Sequence, residues 1–297
     1  MKNKTLFTIL FATLAVYGCS SDSGGGAAGS GGTAGSGGSA GSGGSAGGGG
    51  AGGSAGSGGS AGEGGSGGGM PPSGVAVYEQ DFESLGLTDP AALSGDGWFY
   101  FGVVFDGTQS PPAFKFDFGP FPAPNGPQTV AVADGEGGTE QGAQQLNMYS
   151  NYECCDPAQG HRNGTDLVES IVFQELTVAA EDVGKTFAFS FDAKRGNIND
   201  PANDNCINTV NPPCDSTANA FIKTIDPNNN FARTNLVEED TTNLLVDWER
   251  KTVSLNLTDP ALEGQTLQFG FQTVANAFEP SANFYDNVVA TKSPTAP

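Results

Sequence analysis

Two stretches of this chain alternate so regularly that they leave little freedom in how it folds: "FAFSFDAK" at 187–194 and "LQFGFQTV" at 267–274. In an extended chain successive side chains point to opposite faces. Phe187, Phe189 and Phe191 therefore share one face, opposite Ala188, Ser190 and Asp192. In the same way Leu267, Phe269, Phe271 and Thr273 oppose Gln268, Gly270, Gln272 and Val274. Each segment reads as a strand with one dry and one wet side. Similar runs occur at 75–82, 97–104, 143–149, 168–178, 219–225 and 247–257, and no segment carries a long 3.6-residue amphipathic pattern. Many short strands separated by Gly, Pro, Asn and Asp turns predict an all-β chain folded as an antiparallel β-sandwich.

The residues before 75 follow different rules. "MKNKTLFTILFATLAVYGC" has a basic start at Lys2 and Lys4, an apolar run too short to span a bilayer, and Gly18 immediately before Cys19. It resembles the signal peptides of bacterial lipoproteins, which implies cleavage after residue 18 and a lipid on Cys19. Tyr17 departs from the small residue usual at that place. Ser20 follows the cysteine where an aspartate would favour inner-membrane retention, so the outer membrane is expected. From Ser23 to Gly69 the chain is almost wholly Gly, Ser and Ala, with "AGSGGS" recurring from Ala34, Ala40 and Ala55. This composition has nothing to bury and cannot offset its own ordering entropy. It is expected to act as a tether with a root-mean-square span of roughly 35 to 40 Å and a stretched reach of about 150 Å. The expected organisation is a signal peptide at 1–18, a lipidated cysteine and Gly/Ser/Ala tether at 19–74, and one β-sandwich domain at 75–297 that the tether holds clear of the cell surface.

Charge and cysteine use narrow the function. The formal net charge is −21, and it becomes more negative once Lys2 and Lys4 leave with the signal peptide. A chain this acidic has no basic face for nucleic acid, anionic lipid or polyanionic glycans, so neutral ligands and cations are expected. With Cys19 set aside, Cys154, Cys155, Cys206 and Cys214 form an even set, read in an exported protein as two disulfides. Either each of Cys154 and Cys155 joins one of Cys206 and Cys214, or a vicinal 154–155 bridge accompanies a 206–214 bridge. The single histidine, His161, lies in the polar stretch "AQGHRNGTD" without a nucleophile or metal cluster beside it, and it reads as a loop residue.

The wet faces are where a ligand would sit. In "GDGWFYFG" Trp98 and Tyr100 share one face and Phe99 and Phe101 the other. With the phenylalanines inward, Trp98 and Tyr100 stand outside as stacking surfaces for sugar rings. The alternative places Trp98 in a core. Gln268 and Gln272, opposite the inward phenylalanines of their strand, are candidate amide donors and acceptors for hydroxyls.

Two further stretches, "YEQDFESL" near residue 80 and "FYDNVVAT" at 284–291, together resemble the terminal strands of galactose-binding-like jelly rolls. The likeness is strongest to carbohydrate-binding modules appended to xylanases and cellulases. "DVGKTFAFSFDAK", "AFIKTIDP" and "LQFGFQT" sit where that group carries later strands. The resemblance implies a jelly roll and a structural calcium ion between the terminal strands, with Glu83 and Asp286 as carboxylate ligands, Asp81 as a further candidate and backbone carbonyls completing a shell of six to eight oxygens. Plain alternation puts Asp286 on one face with Phe284, Val288 and Ala290, an expensive place for an unpaired charge.

The expected function is a surface-displayed, non-catalytic lipoprotein that binds a neutral poly- or oligosaccharide through a calcium-braced module, with the membrane met only through the lipid. The alternatives are a surface adhesion or structural protein with protein or matrix partners, and a glycan-active hydrolase or lyase. No residue stands out in the sequence as an acid or base for the last.

Overall fold

The computed structural model describes residues 74–126, 129–150, 165–200, 216–275 and 279–295. All of them belong to one compact unit, Ser66–Pro297. The leader, Cys19 and the tether, the four cysteines expected to pair, and His161 lie outside the described residues.

Twelve strands follow in chain order: β1 (Val75–Gln80), β2 (Phe99–Asp106), β3 (Ala113–Pro122), β4 (Val130–Asp134), β5 (Gln144–Ser150), β6 (Asp166–Thr177), β7 (Lys185–Arg195), β8 (Thr217–Asp226), β9 (Ala232–Asp240), β10 (Glu249–Asn256), β11 (Thr266–Ala275) and β12 (Glu279–Pro294). They form two antiparallel sheets. The first has the order β10-β7-β12-β5-β4, with β1 also paired to β12, and the second has the order β3-β2-β6-β11-β8-β9. The fold is an all-β, antiparallel sandwich of the jelly-roll kind, its first and last strands lying side by side.

The alternating segments build the core as their periodicity predicts. Phe187, Phe189 and Phe191 of the first sheet meet Phe269 and Phe271 of the second, with ring centroids 5.1 to 5.3 Å apart. Tyr285 of β12 stacks on Phe271 at 3.7 Å and 16°. Its hydroxyl meets Thr241 Oγ1 at 3.0 Å, which removes the cost of burying it. Aromatic pairs of this kind add about 0.5 to 1.5 kcal/mol each beyond their area burial.

Two expectations about strand phase are corrected. Trp98 and Tyr100 do not stand outside: each is 1% exposed and part of the core. The polar tips of both rings have partners within, Trp98 Nε1 donating to Asp96 Oδ2 at 3.1 Å and Tyr100 Oη meeting Ser170 Oγ at 2.9 Å. Phe99 and Phe101 carry no polar atom and take the outer positions. The second correction concerns β12. Asn287 adopts φ +46, and the register against β7 shifts between Asp286 and Val289. This bulge breaks plain alternation. Tyr285, Val288 and Ala290 enter the core, while Phe284 and Asp286 lie on the other side of the strand, opposite Lys194 and Asp192.

Candidate functional site

The outer face of the second sheet is unlike an ordinary wet face. Register fixes its composition. Because Tyr100, Val172, Phe269 and Ile222 point into the core, their alternate neighbours point out. One row across the sheet reads Phe99, Phe173, Gly270, Phe221 and Glu238, and the next reads Phe101, Ile171, Gln272 and Asn219. A third reads Glu175, Gln268, Lys223 and Leu236.

Ile171, Phe173 and Phe221 form an apolar cluster separate from the main core, with Phe101 and Leu236 packed against it. Phe99 lies at its border, 36% exposed and stacked on Phe173 at 5.9 Å and 24°. Phe114, also exposed, meets Phe105 edge-on at 6.5 Å further along β2. Phe173 and Phe221 are themselves covered, 3% and 1% exposed, so the rings of this face that reach the surface are Phe99, Phe114 and the half-buried Phe101 and Phe105.

Polar groups rise around these rings. Gln268, 8% exposed, donates from Nε2 to Glu175 Oε2 at 2.8 Å. The Lys223 ammonium lies 4.9 Å from the Phe221 ring centroid and 5.6 Å from that of Phe173. Burial pulls Lys223 down to about 8, against the pull of Glu169. Burial likewise pushes the Glu169 carboxyl above its ordinary range, with Lys223 opposing. Gly270 makes the arrangement possible: a Cβ there would stand 2.1 Å from the Val172 carbonyl oxygen and 2.7 Å from Phe173 Cα. The face thus offers flat apolar rings, carboxylate acceptors, an ammonium and amides that both donate and accept.

Of the residues expected to bind a ligand, Gln268 and Gln272 lie together on this face, while Trp98 and Tyr100 lie beneath it in the core. The sequence-based expectation turned Phe99 and Phe101 inward and did not single out Phe173, Phe221, Glu169 or Lys223. The signal for the last four was available in the alternation of "VESIVFQE" and "ANAFIKTI", whose two faces are both partly apolar.

A second place involves Asp286. Its side chain is fully buried on the outer side of the first sheet, and one oxygen, Oδ2, has no hydrogen-bond partner. Oδ1 accepts from Asn287 N at 2.6 Å. Burial pushes the carboxyl up to about 8, and the charges of Asp192, Asp81 and Glu83 push the same way. Gln144 Oε1 is a second buried oxygen without a partner, and it sits beside Glu83, to whose carbonyl Gln144 Nε2 donates at 2.8 Å. Glu83 Oε1 accepts from the amides of Ala143 and Gln144 at 2.6 and 2.7 Å, so it ties the segment after β1 to the start of β5. Asp81 Oδ1 accepts from Glu83 N at 3.2 Å. Among the described residues no three His, Cys, Asp or Glu side chains gather as a metal-holding group. The oxygens present suit a hard cation, with one buried carboxylate and neutral amide or carbonyl oxygens as the donors.

No protein-family model matches the sequence, and no curated protein matches it. Among solved structures the chain is similar to the CBM22-1 xylan-binding domain from Paenibacillus barcinonensis Xyn10C, at 11% identity and a TM-score of 0.36. That match covers 75% of this chain and 97% of that one. It is also similar to TmCBM61 in complex with β-1,4-galactotriose, at 11% identity and a TM-score of 0.30, covering 56% of this chain and 83% of that one. A third similarity is to the enzymatically active domain of bacteriophage CBA120 tailspike protein 4, at 9% identity and a TM-score of 0.35 over 56% of this chain. The chain spans 18% of that tailspike structure.

Proposed function

We propose that this chain is a non-catalytic binding module whose outer face on the second sheet takes a neutral oligo- or polysaccharide. One observation carries the reading. A single sheet face combines the exposed ring of Phe99 and the half-buried ring of Phe101, backed by the buried rings of Phe173 and Phe221, with donors and acceptors of both kinds around them. Sugar rings present an apolar C–H face to aromatic surfaces. Their hydroxyls each donate and accept, which suits a border that holds an ammonium, amides and carboxylates together. A polyanion is disfavoured by the net charge of −21.

In this reading Gln268 and Gln272 orient hydroxyls, and Phe99 and Phe101 give stacking area over the buried Phe173 and Phe221. A calcium ion held by Asp286, with Asp81, Glu83 and the Gln144 amide oxygen nearby, fixes the β1–β12 edge and takes no part in ligand binding. The lipid on Cys19 and the tether to residue 74 place the module at the outer surface of a bacterial outer membrane, with two disulfides among Cys154, Cys155, Cys206 and Cys214.

A panel of neutral glycans tested with and without chelator examines the proposal. Retention of at least one glycan by the wild type, weakened when the exposed Phe99 is replaced by Ala, is the expected result. Absence of any retained glycan contradicts it, and capture of a protein partner on the same face favours the adhesion alternative. A second reading, cleavage of the bound glycan, has one observation in its favour. Burial raises Glu169, the property a general acid needs. Release of shortened product from a retained glycan supports that reading over pure binding.

A further inference from the structure

Lys223 is the least conventional residue of the outer face. An ammonium taken out of water ordinarily pairs with a carboxylate. Among the described residues Lys223 has no hydrogen bond or ion pair, and its head group instead lies over two rings, Phe221 and Phe173. Those rings come from β8 and β6, on either side of Gly270 in β11. Gly270 supplies no side chain, so the ammonium bridges a gap between the rings. Contact with aromatic faces stabilises the charge while leaving its three N–H groups without oxygen acceptors.

We propose that Lys223 is the residue that reads the ligand on this face, its ammonium donating to sugar oxygens directly above the Phe173–Gly270–Phe221 row. The inference rests on the glycan-binding reading and names the group that decides which hydroxyl pattern is held. The surroundings suit a neutral polyol better than an acid. Among the described residues Glu169 and Glu175 of β6 and Glu238 of β9 face the same region, Arg233 of β9 is a further cation near it, and β11 contributes the neutral Gln268 and Gln272. A hydroxyl accepts from Lys223 and donates to a neighbouring carboxylate, whereas a ligand carboxylate would meet three glutamates. Because burial pulls Lys223 down to about 8, its donors are charged below that pH and lose their charge above it. Binding is therefore strongest at neutral pH or below and weakens as pH rises through about 8.

Affinity electrophoresis of the full chain in gels holding soluble neutral glucan, xylan, galactan or mannan tests this, comparing wild type, K223M and K223R from pH 6.5 to 9.5. For each retained glycan the expected result is roughly a ten-fold or greater loss in K223M, the scale of one charge-assisted hydrogen bond. K223R keeps measurable binding and loses the fall above pH 8, because a guanidinium stays charged throughout. Thermal midpoints of the three proteins show whether K223M is folded, and the K223R profile decides the question should it not be. A wild type that is retained equally with K223M, or that shares its pH profile with K223R, overturns the role of Lys223 alone. A wild type that no glycan retains overturns the binding reading and this inference with it.

Discussion

Asp192 and Asp286 are cross-strand partners on the outer side of the first sheet, yet among the described residues a cation pairs with Asp192 alone. Asp192 receives Arg250 Nη1 at 3.1 Å, Gln141 Nε2 at 2.9 Å and Asn287 Nδ2 at 2.8 Å. Asp286 has one backbone amide on Oδ1 and nothing on the buried Oδ2. A bare carboxylate in that position costs free energy that protonation or a bound cation removes.

The consequence is a pH dependence with a definite sign. Burial raises Asp286 from an ordinary 3.8 to about 8. The folded state then holds a proton that the unfolded state gives up, so without metal this group's contribution is complete below about pH 4 and is lost as pH rises through about 8. Chemical denaturation in chelator should show stability falling across that window, with a flatter profile for Asp286→Asn. Calcium should raise the midpoint more at pH 8 than at pH 5, because the ion takes the deprotonated form. An equal calcium effect in Asp286→Asn would remove this site from the account.

The buried position of Trp98 separates stability from binding. Trp98→Phe loses the donation to Asp96 Oδ2 and leaves space beside Phe82 and Phe271. A destabilisation of about 1 to 3 kcal/mol is expected by urea unfolding. Glycan affinity at a temperature where the protein is folded should not change, and a large loss would mean that the ring reaches the ligand.

These two residues also mark how far the sequence could be read. Alternation placed Phe187, Phe189, Phe191, Phe269 and Phe271 inside because polar residues between them left one possible phase. "GDGWFYFG" offered two apolar faces of similar size, and the choice between them depends on Ser170 and Asp96, which are distant or off the strand. In "FYDNVVAT" the phase slips at Asn287, whose positive φ no spacing rule marks. Three strands escaped notice for local reasons. The β3 sequence "AFKFDFGPFP" is interrupted by Gly119 and Pro120, β4 is only five residues long, and β9 is a polar edge strand. The outer face was legible only in part. Gln268 and Gln272 follow from their inward neighbours, whereas Lys223 acquires its setting from rings on β6 and β8 that register alone brings together.

Gly270 is where fold and site depend on the same atom. Gly270→Ala puts a methyl group against backbone, 2.1 Å from the Val172 oxygen, and no side-chain rotation relieves it. Separation of β11 from β6 should cost about 1 to 3 kcal/mol in denaturant unfolding. The same change widens the gap between Phe173 and Phe221, so residual glycan binding should weaken in the folded fraction. Wild-type stability in this variant would show that the strands are less closely set than the 2.1 Å approach implies.

The central claim is that one outer face, and not the other, takes the ligand. Side-chain amide resonances report it directly, since Gln268 and Gln272 lie on the second sheet's outer face and Gln145 and Asn147 on that of the first. Titration of the full chain with a retained neutral oligosaccharide, followed by nitrogen–proton correlation spectra, should shift the Gln268 and Gln272 amides in proportion to occupancy and leave Gln145 and Asn147 in place. Shifts confined to Gln145 and Asn147, or a saturating ligand that leaves Gln268 and Gln272 unmoved, would contradict it.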